Sequence, residues 1–253
     1  MCMRNNSYVN KTACGSCMKS LYYRLMQEPP IIPPDDLMEL CLFPLNNIVL
    51  FPTMNLPLHI FEERYKDMIR TCMNEQQPFG VLLIRQGQEV GEPAQPFKIG
   101  TTARITKVQE LQEGRLNIST EGERRFELVH TSQTLPYMTG LIRYLNNDGE
   151  PAPDSLITSI KAEFRLFLSH QATIAGGWNS KITLPDDPDE LLAQVIAGIS
   201  SSIEIPTELR QRLLETDKYS ERLEKLVPIL QKGNEIMREQ SEKTNPFQGN
   251  RLN

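Results

Sequence analysis

At 253 residues, with 39% hydrophobic and 23% charged side chains, the chain is long enough to bury a sizeable core as one large domain or two small ones. No apolar run approaches the roughly 18 residues that a membrane-spanning helix needs. The net charge is −5, but the first 27 residues carry only Arg4, Lys11, Lys19 and Arg24, so the remainder stands at −9 and offers no long-range attraction to phosphate.

Residues 1 to about 37 lack helical or strand periodicity and run into Pro29, Pro30, Pro33 and Pro34, which favour an extended spacer. They read as a disordered leader; a targeting segment or a misassigned start would have the same composition. Cys14 and Cys17 form a single C-x-x-C with no second pair and no H-x-x-x-H, which reads as two incidental thiols. Five cysteines in all do not make a disulfide framework, and a reducing cytoplasm is the expected home.

From Leu40 the pattern becomes short apolar runs: Leu40 to Phe43, Ile48 to Phe51 and Phe79 to Ile84, each predicted as a buried strand. A helix is predicted between them, because Phe61, Tyr65, Met68, Ile69 and Cys72 recur at helical spacing. Further on, Leu116, Ile118 and Thr120 alternate with Asn117 and Ser119, while Phe126 and Leu128 alternate with Arg125 and Glu127. Both segments predict half-buried strands with one wet face, joined as a meander by turns at Glu113-Gly114 and Gly122, the glycines supplying positive φ.

After the turn at Asn146 to Gly149 the period switches to 3.6. Leu156, Ile157, Ile160, Phe164, Phe167 and Leu168 form one stripe. Asp187, Pro188 and Glu190 announce a second helix carrying Leu191, Leu192, Val195, Ile196 and Ile199. A third begins near Pro206 with Leu209, Leu213 and Leu214, and a fourth carries Leu223, Leu226, Val227 and Leu230, with Pro228 expected to kink it. The expected organisation is an α+β chain: a β-rich unit over 38–148, a helical bundle over 149–240 and a polar tail over 241–253.

A search for chemistry finds little to support an enzyme. There is no Walker A loop and no GxGxxG, so no cofactor is expected. His59, His130 and His170 are scattered singly, with His59 read as structural and Cys72 as core. The carboxylate pairs Asp35-Asp36, Glu62-Glu63 and Asp186-Asp187 point different ways or serve as caps, and no set has metal-ligand spacing. Arg124-Arg125 beside Phe126 is a basic-aromatic cluster that could suggest RNA, and it reads more simply as a solvated strand face next to a buried ring.

The stretch from Leu42 to Pro52, followed by Leu56 to Tyr65, resembles the opening of the Lon protease N-terminal domain. The resemblance continues through Phe79 to Leu82, Gly100 to Ile105, Gly114 to Ile118, Gly122 to Phe126 and Pro136-Tyr137. Leu213 to Glu215 and Glu221 to Leu226 follow, so that it covers about residues 39 to 232. Thr53 departs from it, standing where similar sequences often have Gly, which implies a differently shaped turn.

This resemblance implies a PUA-like pseudo-barrel followed by a helical subdomain. It also implies a module, without ATPase or peptidase, that binds unfolded or damaged polypeptides in protein quality control or proteolysis. An ATP-dependent protease is an expected further partner; RNA is the alternative ligand, because PUA-like barrels in other families bind it. The Pro-flanked loop with Phe51, Met54 and Leu56 is the expected peptide-contact surface.

Overall fold

The structure is a computed structural model that describes residues 36–87, 94–146, 151–176 and 183–244. The leader with its C-x-x-C, the turn at 147–149 and the end of the tail lie outside the described residues. The strands are β1 (Met38–Leu45), β2 (Asn55–Ile60), β3 (Phe79–Gln86), β4 (Gln95–Pro96), β5 (Ile99–Glu110), β6 (Leu116–Ser132) and β7 (Thr139–Tyr144). The helices are α1 (Glu63–Glu75), α2 (Asp154–Ile174), α3 (Pro188–Ser200), α4 (Thr207–Glu215) and α5 (Tyr219–Thr244), giving the α+β class that the change of period predicts. α5 continues into the first residues of the expected tail and carries Pro228 inside it.

The strands close into a ring. β1 gives its first half to β7 in antiparallel pairing, Met38 opposite Ile142, and its second half to β3 in parallel pairing, Leu42 opposite Gly80. β3 then pairs with β5, β5 with β6 and β6 with β7. A pure meander does not account for this, since the crossover through β2 and α1 is what makes the β1–β3 pairing parallel. β6 is 17 residues long and serves two neighbourhoods: its first half lies between β2 and β5, its second between β5 and β7.

Alternation along the strands separates the cores. Leu40, Leu42, Leu82, Phe126, Leu128 and Ile142 come from four strands of the ring and fill its interior. Phe126 fits because Gly80 and Gly100 carry no side chain: a Cβ there would come within 2.8 and 2.9 Å of the ring's Cζ. The opposite faces are covered by helices. Tyr65, Met68, Ile69 and Cys72 of α1 pack on Phe43, Leu45, Phe79, Val81, Leu116 and Ile118. Phe61 stands apart from this stripe, 59% exposed and ahead of the helix start.

α2 to α5 form the largest core, around Phe164, Phe167, Leu191, Leu192, Val195, Leu223, Leu226 and Leu230, and it reaches the barrel through Val49, Phe51 and Leu83. The start of α3 is as the sequence announces it: Pro188 opens the helix, and an Asp187 carboxylate oxygen accepts from Glu190 N at 2.9 Å.

Three sequence-based expectations fail instructively. Ile48 to Phe51 is half-buried at Ile48 and buried from Val49 on, but it is not a strand; the segment is irregular, bracketed by Asn47 at φ 57° and Thr53 at φ 63°. Its backbone finds partners outside any ladder, with Thr101 Oγ1 donating to Leu50 O at 2.7 Å, and just beyond it Thr53 N donates to Gly122 O at 2.7 Å. Gly122 is not a turn but an interior residue of β6, whose Cβ would meet Phe51 O at 2.3 Å.

The third is Arg125, expected on a wet face and found only 3% exposed. Its Nη1 donates to Leu214 O at 2.7 Å and Thr216 O at 3.1 Å, and its Nη2 donates to Asp217 O at 3.4 Å. These carbonyls end α4, where the helix leaves acceptors without intrahelical donors and where a cation is favoured. Burial, and then the nearby Arg222, pull the Arg125 guanidinium down to about 10.

Two stability predictions follow from this packing. Arg125→Leu removes the guanidinium donor from the buried Leu214 carbonyl and leaves the Thr216 and Asp217 carbonyls to Arg222 alone; it should cost about 3 kcal/mol, or roughly 6–12 °C in Tm for a chain of this size. A variant melting within about 2 °C of the parent would show that these bonds contribute little. Thr53→Gly releases a β-branched residue from the left-handed region and removes a buried hydroxyl that has no hydrogen-bond partner. It should raise Tm by about 2–4 °C, the relief of strain exceeding the added freedom of the unfolded chain. Calorimetry showing a lower Tm would contradict this account.

Candidate functional site

The loop expected to contact peptides is built by the contacts just described, and its three named residues are placed differently. Phe51 is 0% exposed and belongs to the helical core, because the carbonyl and amide bonds around it pull the chain inward. Its ring supports the loop from beneath. Met54 is half-buried and packs against both the helical core and the core under α1, and Leu56 is half-buried on β2, where Thr120 Oγ1 donates to its carbonyl at 2.8 Å. A partly accessible strip therefore remains at Met54 and Leu56.

A larger concavity lies elsewhere, between the end of α3, α4 and α5, with a volume of about 1010 Å³. Its floor is apolar: Ile203, Leu209, Ile229 and Ile236 are half-buried, and Ile199, Ile205 and Leu213 are buried beneath them. Its rim carries Glu204, Glu215, Asp217 and Glu221 against Arg212, Lys218, Lys225 and Lys232, four charges of each sign. A groove of this kind takes up apolar side chains without selecting a charged polymer.

The groove's position follows from helix geometry. On α5, Leu223, Leu226 and Leu230 face the core, while Ile229, Gly233 and Ile236 follow a second stripe at i, i+4 and i+7 that borders the groove. That second stripe is visible in the sequence, and it is the signal that a single-stripe reading of the helix passes over. The back wall includes Thr216 and Asp217, whose carbonyls are held by Arg125 and by Arg222 of α5, Arg222 Nη2 donating to Thr216 O at 3.0 Å. Asp189 at the start of α3 lies 3.6 Å from Arg222.

The basic-aromatic cluster is largely withdrawn from the surface. Arg125 and Phe126 are buried, and Arg124 lies 4.0 Å over the ring of Tyr144. His59 is exposed, with Nδ1 2.7 Å from the Asn117 side-chain oxygen and its ring stacked on Phe61 at 6.1 Å. Among the described residues no three His, Cys, Asp or Glu side chains converge as a metal site would need, and no helix is long and apolar enough to cross a membrane.

Comparison with known proteins agrees with this architecture. The family model described as the ATP-dependent protease La (LON) substrate-binding domain matches residues 39–232. The chain is similar to a Lon protease 2 from Herpetosiphon aurantiacus, 27% identical over 198 residues, covering 76% of this chain and 24% of that protein. It is also similar to a Lon protease from Paraburkholderia phytofirmans, 28% identical over 210 residues, covering 81% and 25%. It thus spans about a quarter of the length of the curated relatives it matches.

Among solved structures, the Lon N-terminal domain protein from Xanthomonas campestris superposes with a TM-score of 0.55 at 24% identity, over 76% of this chain and 98% of that one. The N-terminal domain of a Mycobacterium avium complex Lon protease gives 0.55 at 16% identity, over 78% and 98%. By fold and by a family match running from β1 into α5, the chain belongs to the family of Lon substrate-binding domains.

Proposed function

We propose that this chain binds exposed or unfolded polypeptide segments and performs no catalytic step itself, acting as an adaptor in protein quality control or proteolysis. The observation that carries the reading is the match of residues 39–232 to a substrate-binding family, combined with an apolar groove of about 1010 Å³. In this reading Ile203, Leu209, Ile229 and Ile236 receive apolar side chains, and the balanced rim leaves the site tolerant of sequence. Met54 and Leu56 supply a second, smaller strip, with Phe51 as its support. The setting is cytoplasmic, and an ATP-dependent protease is the partner to which bound segments would pass. RNA is the weaker reading, since the net charge is −5 and the basic-aromatic cluster is buried or stacked.

The test is fluorescence anisotropy of labelled, unfolded casein titrated with the full chain. Ile229→Glu places a charge on the groove floor and should weaken binding about tenfold, which corresponds to about 1.4 kcal/mol. Met54→Asp should weaken it by a smaller factor, and a larger effect there would move the primary site to the loop. Binding should change less than about twofold between 50 and 200 mM salt, whereas phosphate-driven binding falls by about 10³ or more over that range. If casein binds no more tightly than a folded control protein, the reading is wrong.

A further inference from the structure

Two cysteines far apart in sequence meet beneath α1. Alternation along β1 sends Leu40 and Leu42 to the barrel interior and turns Cys41, Phe43 and Leu45 to the face that α1 covers. The buried stripe of α1 runs Tyr65, Met68, Ile69, Cys72. Tyr65 meets Phe43 edge-on at 4.2 Å between ring centroids, and Cys72, two helical turns further on, meets Cys41, two residues back along the strand. The helix thus lies over β1 at two points, one aromatic and one made of two free thiols.

The two thiols differ in their surroundings. Cys72 is 2% exposed, whereas Cys41 is half-buried and so reachable by a small molecule. Cys41, Cys72 and Tyr137 share the core under α1. Hydrogen bonding from the neighbouring Cys72 thiol is the first cause that lowers the Cys41 thiol to about 7, against burial and the carboxylates of Glu75 and Glu39. Cys72, as the donor and deep in an apolar core, is pushed up. A half-exposed thiol with a lowered pKa beside a buried one is the arrangement of an attacking and a resolving cysteine.

We propose that Cys41 and Cys72 form a reversible thiol–disulfide switch, oxidised by a hydroperoxide and reversed by a dithiol. The Cys41 thiolate attacks a peroxide oxygen, the O–O bond breaks, and the sulfur is oxidised by two electrons to a sulfenic acid while the peroxide is reduced to an alcohol or water. The Cys72 sulfur then attacks that of Cys41. The S–S bond forms, the S–O bond breaks, and the Cys72 proton leaves with the hydroxyl as water. A dithiol restores both thiols and is itself oxidised to its disulfide. The bridge joins β1 to α1 around a segment that includes the Met54 loop and β2, so oxidation fastens both ends of the region that holds this strip.

The experiment uses the full chain, reduced and then treated with stoichiometric hydrogen peroxide at neutral pH, followed by peptide mass mapping without reductant. The expected product is a peptide pair linking Cys41 to Cys72, lost on treatment with dithiothreitol. A Tm on the order of 10 °C higher in the oxidised protein should accompany it. In Cys72→Ser the sulfenic acid should persist on Cys41 and be captured by dimedone. The proposal is overturned if the parent chain leaves Cys41 unmodified, accumulates a Cys41 sulfenic acid without linking Cys72, or links Cys41 instead to Cys2, Cys14 or Cys17. The map of the parent chain decides this even if a variant fails to fold.

Discussion

The insertion of Arg125 into the end of α4 is the interaction on which the arrangement of the helical part depends. Arg125 stands on β6 next to Phe126, which fills the barrel, so adjacent residues of one strand serve opposite sides of the molecule. The guanidinium satisfies carbonyls of Leu214, Thr216 and Asp217 that the helix itself cannot satisfy. Arg222 of α5 reaches the Thr216 and Asp217 carbonyls as well, and Asp189 of α3 supplies the counter-charge. One buried polar junction therefore fixes β6, α3, α4 and α5 relative to one another. A buried cation is tolerated because it meets both the carbonyl end of a helix and a nearby carboxylate.

The groove depends on that junction, since Thr216 and Asp217 form part of its wall. Two further bonds fix the same helix to the barrel side: Gln211 Nε2 donates to Ile99 O at 3.1 Å, and Arg210 Nη2 donates to Asn47 O at 3.0 Å. These polar contacts, together with Val49, Phe51 and Leu83, hold α4 against the barrel side, while Ile203, Leu209 and Ile229 pack only partly on the same core and keep one side toward the groove. The Met54 loop is held from beneath by Phe51 and from the side by the backbone pairing with Gly122. Both candidate surfaces are thus presented by rigid supports.

The turn after Pro52 illustrates how a local departure is absorbed. Thr53 occupies a position whose φ of 63° lies in the left-handed region that favours glycine. The surrounding bonds, Thr53 N to Gly122 O and Met54 N to Phe51 O at 3.2 Å, over-determine the chain there and hold the strain in place.

Much of the fold is legible in the residues alone, wherever the information is local and periodic. The stripe Tyr65, Met68, Ile69, Cys72, the cap at Asp187-Pro188 and the alternation Leu116, Ile118, Thr120 each specify an element through its own spacing, because burial on one face imposes the period of the backbone. Composition, likewise, sets the absence of a long apolar run. What periodicity could not supply is the partner of each buried group. Ile48 to Phe51 is as apolar as a strand, yet its Leu50 carbonyl is taken by Thr101, distant in sequence, and the residues just after it, Thr53 and Met54, pair with Gly122, so the segment joins no ladder. Arg125 alternates like a wet-face residue, and only the approach of α4, some ninety residues later, makes it a buried one. The groove and the meeting of Cys41 with Cys72 belong to the same class: each joins residues from separate elements, and long-range packing, which no local spacing encodes, brings them together.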